Sequence, residues 1–346
     1  MVNIIDIMKI NILTPHLNIS GGVMILATYA HRLTLLGHEV KLLTVNPVFW
    51  RRCLANLLKQ KPSWTGGMNF EIERIADLKE HNLGTADILL VSTYKHANAI
   101  KNLSDQCGKK VYLLQHDERL YHGAPEEVSE AYKLPFKFIA VSSWIKDWLK
   151  KDFNQDAELI LNTLDKNIFY PHKTERKDKD IRILMLHHSY EWKGTAEGVK
   201  IVNELKEKYN NVKLIMYGAR QEKVQCDEYH YKPFGIETAK LFSSCDIFLC
   251  SSWDEGFGLP SLEAMACGCA VVTYDNGGSR DFAFDGSTAL VAERRNIEES
   301  KNKLEILIKD KNLRKNISEA GVQFVKEMPD WRDQVGKMEK ILLSKM

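Results

Sequence analysis

The stretch that decides the fold is the apolar run Asp246-Ile-Phe-Leu-Cys250, followed by Ser251-Ser-Trp-Asp-Glu-Gly-Phe-Gly-Leu-Pro-Ser-Leu-Glu263. The apolar run predicts a buried strand, and the second part predicts a glycine-containing loop that leads into a helix. Pro260 lies in the first turn of that helix, a position that favours proline. A strand, a short loop and a helix in this order are typical of a parallel α/β sheet.

The same alternation of short apolar runs and amphipathic segments extends along the whole chain. The predicted strands of the first half are Ile10–Leu13, Glu39–Val45, Phe70–Ile75, Asp87–Val91, Lys110–Leu114, Phe136–Val141 and Glu158–Leu161. Helices are predicted at Val23–Leu36 and Trp144–Asp152. After the charged segment Pro171–Asp180, strands are predicted at Ile181–Leu186, Val212–Tyr217, Glu228–Lys232, Asp246–Cys250 and Ala270–Tyr274.

These patterns predict an α/β protein with two doubly wound, Rossmann-like domains that face each other across a cleft. We place the first domain at 1–170 and the second at 171–328. The remaining segment, 329–346, is predicted to form a helix that packs back on the first domain. Ligands are expected at the carboxyl ends of the strands and in the cleft between the domains.

Composition excludes several classes of protein. The chain has 346 residues, with 48 basic and 46 acidic side chains and a net charge of +2, which argues against nucleic acid as a partner. Its seven cysteines are odd in number and scattered, as expected in a reducing compartment. We find neither a signal peptide nor an apolar run long enough to span a membrane. We therefore expect a cytoplasmic protein, or one bound to the inner face of the membrane without crossing it.

Several familiar catalytic motifs are absent from the sequence. It contains no dinucleotide-binding glycine fingerprint, no phosphate-binding loop of the Gly-Lys-Ser/Thr type, and no zinc-protease or serine-hydrolase motif. Asp178-Lys-Asp180 has the spacing of a metal-binding pair, but it lies in a charged segment that we interpret as a solvated linker. We predict no metal and no cofactor.

The loop and helix at 251–263 contain the groups that could bind an anion flanked by hydroxyls. Unpaired N–H groups at a helix start attract an anion such as a diphosphate, and Gly256 and Gly258 allow close approach of the backbone. The Glu255 and Glu263 carboxylates could then accept hydrogen bonds from hydroxyls on either side, one set from a sugar and one from a ribose. The alternative is a surface helix in which Glu263 only favours its own helix N-terminus.

Glu255-Gly-Phe-Gly-Leu-Pro-Ser-Leu-Glu263, with Ala264-Met-Ala-Cys-Gly268 after it, closely resembles the Glu-x7-Glu signature of family 4 retaining glycosyltransferases of the GT-B fold. Other segments resemble further motifs of that family: Asp275-Asn-Gly-Gly-Ser-Arg-Asp281 with Asp285-Gly286, Trp192-Lys-Gly194, and Ser20-Gly-Gly22. Gln115-His-Asp-Glu-Arg119 and Val141-Ser-Ser-Trp144 are similar to the rhamnosyltransferase-like branch.

The resemblance implies roles for individual residues of the second domain. It implies that Glu255 contacts the transferred sugar and that Glu263 holds the nucleotide ribose. It also implies that Lys193 neutralises the leaving diphosphate. The backbone from Gly256 through Phe257, Gly258, Leu259 and Pro260 to Ser261 would bind sugar hydroxyls and phosphate.

Two positions with charged residues in the family pattern differ in this chain. Family members usually carry an Arg shortly before the lysine, where this chain has His187-His-Ser-Tyr190. Either a protonated His188 takes the place of that Arg, or another basic residue such as Arg220 does. Asp281 stands where many relatives have Glu.

The resemblance also implies roles in the first domain. Gly21 and Gly22 would face the diphosphate, although an ordinary strand–helix turn would also explain them. His116 or Asp117, just after a predicted strand, would point into the cleft and orient the acceptor; a histidine at a strand end can also be purely structural.

Taken together, the resemblance implies a metal-independent glycosyltransferase that moves a sugar from a nucleotide-diphosphate sugar to a glycan or lipid-linked acceptor. For retaining members it implies front-face substitution without a protein nucleophile. Two alternatives stay open: a nucleotide-sugar 2-epimerase, and a sugar-nucleotide-binding subunit without turnover.

One further segment, 49–61, carries four basic residues and no acid, with Trp50, Leu54, Leu57 and Leu58 at helical spacing. Basic amphipathic helices of this kind lie on anionic membranes, so the segment predicts a peripheral membrane contact. The alternative is a helix packed on its own sheet.

Overall fold

The computed structural model describes residues 6–175, 179–220 and 224–344. Its contacts divide the chain into two compact units, one formed by 1–161 with 332–346 and the other by 162–331. Asp178, the first acid of the Asp-x-Asp pair, lies outside the described residues. The second acid, Asp180, forms an ion pair of 2.7 Å with Lys213.

The first unit is built on a parallel sheet of seven strands in the order β3-β2-β1-β4-β5-β6-β7. These strands are β1 Lys9–Leu13, β2 Glu39–Val45, β3 Glu71–Ile75, β4 Ile88–Val91, β5 Lys109–Leu114, β6 Lys137–Ala140 and β7 Ala157–Leu159. Its helices are α1 Gly21–Leu35, α2 Phe49–Leu57, α3 Glu80–Leu83, α4 Tyr94–Ile100, α5 Pro125–Tyr132 and α6 Ser143–Phe153.

The second unit contains a parallel sheet of six strands in the order β10-β9-β8-β11-β12-β13. These are β8 Ile181–His187, β9 Val212–Gly218, β10 Glu228–Tyr231, β11 Ile247–Cys250, β12 Ala270–Tyr274 and β13 Ala289–Ala292. Its helices are α7 Thr195–Lys208, α8 Ile236–Ser243, α9 Leu259–Ala266, α10 Ile297–Lys309 and α11 Lys311–Glu327. The last helix, α12 Trp331–Leu343, begins in this unit and continues in the first.

Both sheets are buried by apolar side chains, which explains why their strands are short continuous apolar runs. Ile10, Ile12 and Leu42 are fully or almost fully inaccessible in the first unit, as are Ile183 and Leu214 in the second. The predicted two-domain parallel α/β fold is therefore confirmed. No helix of the described chain combines the length and apolar character needed to cross a bilayer.

The boundary between the units differs from the predicted one. It lies between 161 and 162 rather than between 170 and 171, because the intervening residues bond to the end of the second unit. Thr163 Oγ1 donates to the Pro329 carbonyl at 2.8 Å, and the Lys166 ammonium donates to the Lys326 carbonyl at 2.9 Å.

Residues 332–346 belong to the first unit, whereas 329–331 stay with the second. His38 Nε2 lies 3.1 Å from Glu339 Oε1, and the Lys137 ammonium donates to the Ile341 carbonyl at 3.2 Å. These contacts hold α12 against residues at the start of β2 and of β6.

Each sheet has a point where the direction of strand order reverses, between β1 and β4 in the first unit and between β8 and β11 in the second. Helices on either side of such a point turn away to opposite faces, which leaves a crevice at the carboxyl ends of the two strands. In both units this crevice is where a ligand is expected.

Candidate functional site

The crevice of the second unit is a pocket at the carboxyl ends of β8 and β11. Its lining includes Leu186, Lys193, Ser251, Glu255, Pro260 and Ser261. All of these except Leu186 and Ser251 are residues to which the sequence analysis gave a role. The structure therefore brings together groups that are far apart in the chain, such as Lys193 and Glu255, which are separated by 62 positions.

Lys193 is held by a tight connection between two loops. Its backbone ends a short 3₁₀ turn, Glu191–Lys193, that follows β8. The Ser251 hydroxyl donates to the Lys193 carbonyl at 3.1 Å, and the Trp253 N–H donates to the Trp192 carbonyl at 2.8 Å. These two bonds attach the lysine loop to the loop after β11, so the ammonium group has a defined place at the pocket.

The charge of Lys193 is paired with Glu255. The Lys193 ammonium donates to Glu255 Oε1 at 2.6 Å, and both side chains are largely buried. The Glu255 N–H donates to the Asn276 carbonyl at 2.9 Å, which anchors the carboxylate to the loop after β12. An ammonium has three N–H donors, so Lys193 keeps donor capacity for an anion while it is paired with Glu255.

Helix α9 presents its N-terminus to the same pocket. Gly258 precedes the helix with φ +90°, and Pro260 occupies the first turn. Gly278 approaches the Phe257 backbone so closely that a β-carbon there would lie 2.6 Å from its nitrogen. The Phe257 side chain is core, with its ring 5.5 Å from that of Phe282, so only its backbone belongs to the site.

Ser261 contributes a buried hydroxyl to the pocket. Its side chain is 1% exposed and its hydroxyl has no hydrogen-bond partner among the described residues. Buried hydroxyls are normally paired, because an unpaired one costs about 1–3 kcal/mol of desolvation. An unpaired hydroxyl that lines a pocket is therefore a candidate ligand-binding group.

Glu263 lies one turn into α9. Burial raises the pKa of this carboxyl to about 8, so the protonated form predominates near neutral pH. Within the described parts of the chain, no group donates a hydrogen bond to its carboxyl oxygens. Perturbed carboxyls without internal partners are typical of binding and catalytic sites.

His188 is neutral rather than cationic in this environment. The Tyr190 N–H donates to its Nδ1 at 3.1 Å. Burial, helped by the nearby charges of Lys193 and Arg220, lowers the pKa of the ring below its ordinary value. The alternative in which a protonated His188 replaces the family Arg is therefore disfavoured, because a neutral imidazole carries no charge to offset a phosphate.

Arg220 is the better candidate for the positive charge that an Arg before the lysine supplies in family members. It follows β9, which is the neighbour of β8, and residues His187 and Gly218 are aligned in register at the ends of these strands. The Arg220 carbonyl accepts a hydrogen bond of 2.6 Å from the Tyr229 hydroxyl, which fixes its backbone.

The predicted residues of the first unit form a separate group. Gly21 and Gly22 begin α1, and the Ser20 hydroxyl caps that helix by accepting from the Val23 N–H at 3.4 Å. The Gln115 amide donates to the Gly22 carbonyl at 3.2 Å. A β-carbon at Gly22 would lie 3.3 Å from the same amide, so glycine permits this close contact between the start of α1 and the residue after β5.

His116 and Asp117 have different environments. The His116 ring stacks on Tyr121 with centroids 5.9 Å apart. Asp117 is 4% exposed and accepts three hydrogen bonds from the Arg119 side chain, the shortest at 2.9 Å. The Arg119 guanidinium also binds Asp152 at 2.8 Å. The Asp117 carboxylate is thus held in place by Arg119, and its contact with the acceptor stays a prediction.

Glu118 was missed by the sequence analysis. Its carboxylate accepts from the Tyr94 N–H at 2.8 Å and from the Tyr112 hydroxyl at 2.6 Å, while the Tyr132 hydroxyl accepts the Glu118 N–H at 2.9 Å. Burial raises the pKa of Glu118 to about 7. An acid four residues after a buried strand was the available signal, but nothing in the sequence shows that the hydroxyls of Tyr112 and Tyr132 bond to this residue.

The fold of the whole chain is shared with solved glycosyltransferase structures. Sucrose-phosphate synthase from Thermosynechococcus elongatus is 13% identical and covers 96% of this chain and 97% of its own, with a TM-score of 0.76. The Anabaena protein HepE, solved in complex with UDP and glucose, is 15% identical and covers 98% of this chain and all of its own, with a TM-score of 0.77. The fold is therefore that of the GT-B class.

Residues 167–324 match the family model described as glycosyl transferases group 1, so this part of the chain is similar to that family. A Campylobacter jejuni N,N'-diacetylbacillosaminyl-diphospho-undecaprenol alpha-1,3-N-acetylgalactosaminyltransferase is 26% identical over 57% of this chain and 58% of its own length. An uncharacterized glycosyltransferase of Methanocaldococcus jannaschii is 28% identical over 59% of this chain and 58% of its own. The match thus spans under two thirds of the length of these relatives.

Proposed function

We propose that the protein is a retaining, metal-independent glycosyltransferase of family 4, similar to the rhamnosyltransferase-like branch. It would transfer a sugar from a nucleotide-diphosphate sugar to a glycan or lipid-linked acceptor, without a cofactor, in the cytoplasm. Within the part of the chain that the structure describes, no group of three or more metal-binding side chains comes together.

The observation that carries this proposal is the pocket of the second unit. There the Lys193 ammonium, the Ser261 hydroxyl and the start of α9 converge on one space. A cation, a hydroxyl without a partner in the described structure and the positive end of the helix dipole together suit a ligand with an anionic centre and polar flanks. A diphosphate between a sugar and a ribose has this character.

The two glutamates are proposed to contact hydroxyls on the two sides of the diphosphate. Glu255, paired with Lys193 at 2.6 Å, would accept from the sugar, and Glu263 would accept from the ribose. Lys193, with Arg220 as the second cation, would neutralise the charge that develops on the leaving diphosphate. The backbone from Gly256 to Ser261 would contact phosphate and sugar oxygens.

In the proposed reaction the acceptor hydroxyl attacks the anomeric carbon on the face from which the diphosphate leaves. The bond from the anomeric carbon to the phosphate oxygen breaks as the bond to the acceptor oxygen forms, and the acceptor proton passes to the departing phosphate oxygen. Glu255 forms no covalent bond in this scheme. In the first unit, Gly21 and Gly22 would bind phosphate and His116 would contact the acceptor.

The Campylobacter relative is named as an enzyme that acts on a diphospho-undecaprenol compound, which supports a lipid-linked acceptor for this protein. Peripheral contact with the inner face of the membrane through 49–61 would bring the enzyme to such an acceptor.

The test is thermal stabilisation by a panel of nucleotide diphosphates and nucleotide sugars, with and without EDTA. A ligand that binds the native state raises the melting temperature with its excess over Kd. We expect one donor to stabilise the wild type, with no effect of EDTA, and to lose its effect in Lys193→Met and Glu263→Ala. Lys315→Met, which removes an exposed lysine on α11, is the matched control and should behave as wild type.

The selected donor is then incubated with and without candidate acceptors. Acceptor-dependent loss of donor, with the anomeric configuration retained in the product by NMR, supports the proposal. Loss of donor without acceptor to give an epimer would replace it with a 2-epimerase. Binding without turnover for every acceptor would indicate a binding subunit, and no stabilisation by any nucleotide would overturn the assigned site.

A further inference from the structure

Helix α2 in the first unit exposes most of its apolar side chains. Phe49 is 70% exposed, Trp50 62%, Leu54 47% and Leu57 80%, and Leu58 directly after the helix is 57% exposed. Ala55 is the one residue of the helix that is buried. We call residues 48–61 the α2 ridge. A contiguous exposed apolar surface of this kind marks an interaction site.

The helix is attached to its unit by polar groups and not by its apolar side. The Asn56 amide donates to the Arg74 carbonyl at 2.9 Å, and its oxygen accepts from the Arg74 N–H at 2.9 Å. Arg74 belongs to β3, the edge strand of the seven-stranded sheet. The expectation of a helix packed on its sheet by the Trp50, Leu54 and Leu57 face is therefore wrong: that face stays exposed.

The charged residues of the ridge itself have one sign. From Val40 to Phe70 the sequence contains no Asp or Glu, and the ridge itself carries Arg51, Arg52, Lys59 and Lys61. The Arg51 guanidinium lies over the Trp50 ring at 5.1 Å, and that of Arg52 over the Phe49 ring at 5.5 Å. The cations thus border the same apolar side chains that are exposed.

We infer that the α2 ridge is a docking surface for an anionic lipid bilayer. Trp50, Leu54 and Leu57 would enter the boundary between headgroups and acyl chains, while the arginines and lysines contact lipid phosphates. A second copy of the chain fits less well, because a symmetric contact would bring two acid-free cationic segments together. This inference extends the proposed function. Vesicle binding needs neither donor nor turnover, so a protein that does not bind vesicles could still be the proposed transferase.

The experiment is co-sedimentation of the full chain with vesicles of phosphatidylcholine alone and of phosphatidylcholine with phosphatidylglycerol. We expect binding to the anionic vesicles at low salt and a large loss of binding at high salt. Arg51→Gln with Lys59→Gln should weaken binding about 25-fold, since each cation near an anionic surface contributes about five-fold. The control pair Lys101→Gln with Lys151→Gln removes two exposed lysines of the same unit and should have little effect.

The apolar contribution is tested by Leu57→Ser against Leu35→Ser, an equally simple change at an exposed leucine at the end of α1. We expect only Leu57→Ser to weaken binding, with the melting temperature unchanged in both. A polarity-sensitive dye on Cys53, the one exposed cysteine of the seven, should shift to shorter wavelength with anionic vesicles only.

The inference is overturned if the protein ignores anionic vesicles at low salt, or if the Arg51/Lys59 and Leu57 variants bind as well as wild type. Concentration-dependent self-association that Leu57→Ser abolishes, without vesicle binding, would also overturn it and assign the ridge to a second copy of the chain.

Discussion

The carbonyl oxygen of Ser251 occupies the space that a β-carbon on residue 194 would need, and Gly194 has a φ of +63°. The loop that carries Lys193 can therefore lie against the loop after β11 only because residue 194 has no side chain. This contact helps to determine where the Lys193 ammonium lies relative to the Glu255 carboxylate.

Gly194→Ala should destabilise the protein and weaken donor binding, because either the backbone of Ser251 or the lysine loop must move. Gly286→Ala is the control, since its φ of +72° imposes similar backbone strain but no atom lies within 4 Å of the added carbon. We expect the Gly194 variant to lose roughly 1–3 kcal/mol more of the free energy of unfolding than the control. Urea titration measures the difference. Equal losses of the free energy of unfolding in the two variants would show that the contact with Ser251 does not contribute to stability.

Ser261→Ala should separate stability from binding. Because the buried hydroxyl has no partner in the described structure, its removal should leave the free energy of unfolding unchanged or raise it by about 1 kcal/mol. Donor affinity should fall, since the ligand loses a hydrogen bond. A loss of stability without a loss of affinity would mean that the hydroxyl serves the fold and not the ligand.

Glu263 should make nucleotide binding depend on pH. The free carboxyl has a pKa of about 8, and a carboxylate that accepts from ribose hydroxyls binds in its ionised form. Binding therefore lowers this pKa, releases a proton near neutral pH, and becomes tighter as the pH rises towards about 8.

Titration calorimetry in buffers of different ionisation enthalpy measures the released proton. Glu263→Gln should bind more weakly, without proton release and with a flat pH profile. Affinity that falls as the pH rises in the wild type would contradict an ionised Glu263 in the complex.

Glu118 should lower the stability of the protein as the pH rises. Its folded pKa of about 7 exceeds the ordinary value of 4.5, so the native state holds more protons than the unfolded state between these values. The free energy of unfolding should fall across this window by up to roughly 3 kcal/mol and stay constant above it. Glu118→Gln should remove this slope.

Glu80→Gln is the contrasting control in the same unit. The Ser104 N–H donates to the Glu80 carboxylate at 2.6 Å and lowers its pKa, so Glu80 contributes stability above its ordinary pKa that is lost as the pH falls. The two variants should change the pH profile of stability, measured by urea unfolding, in opposite directions. Equal profiles in Glu118→Gln and wild type would show that burial does not perturb Glu118.

Much of the fold follows from local sequence. Buried parallel strands are continuous apolar runs, so strands such as Ala270–Tyr274 were predicted with the bounds that the structure has, and most others within a residue or two. Strand β13 was missed, because four residues at a sheet edge carry too weak a pattern. Helices α4 and α5 were also not predicted individually, since short helices give few periods of a helical pattern.

The sequence by itself determined the alternation of strands and helices, the loop and proline that begin α9, and the acid-free cationic segment around α2. Only the tertiary structure decided which of these groups meet. It paired Lys193 with Glu255, assigned Asp117 to Arg119, and enclosed Glu118 and Glu263 so that their pKa values rise. The physical reason is that charge, hydration and hydrogen-bond supply at a side chain depend on neighbours in space, which folding brings from distant positions in the chain.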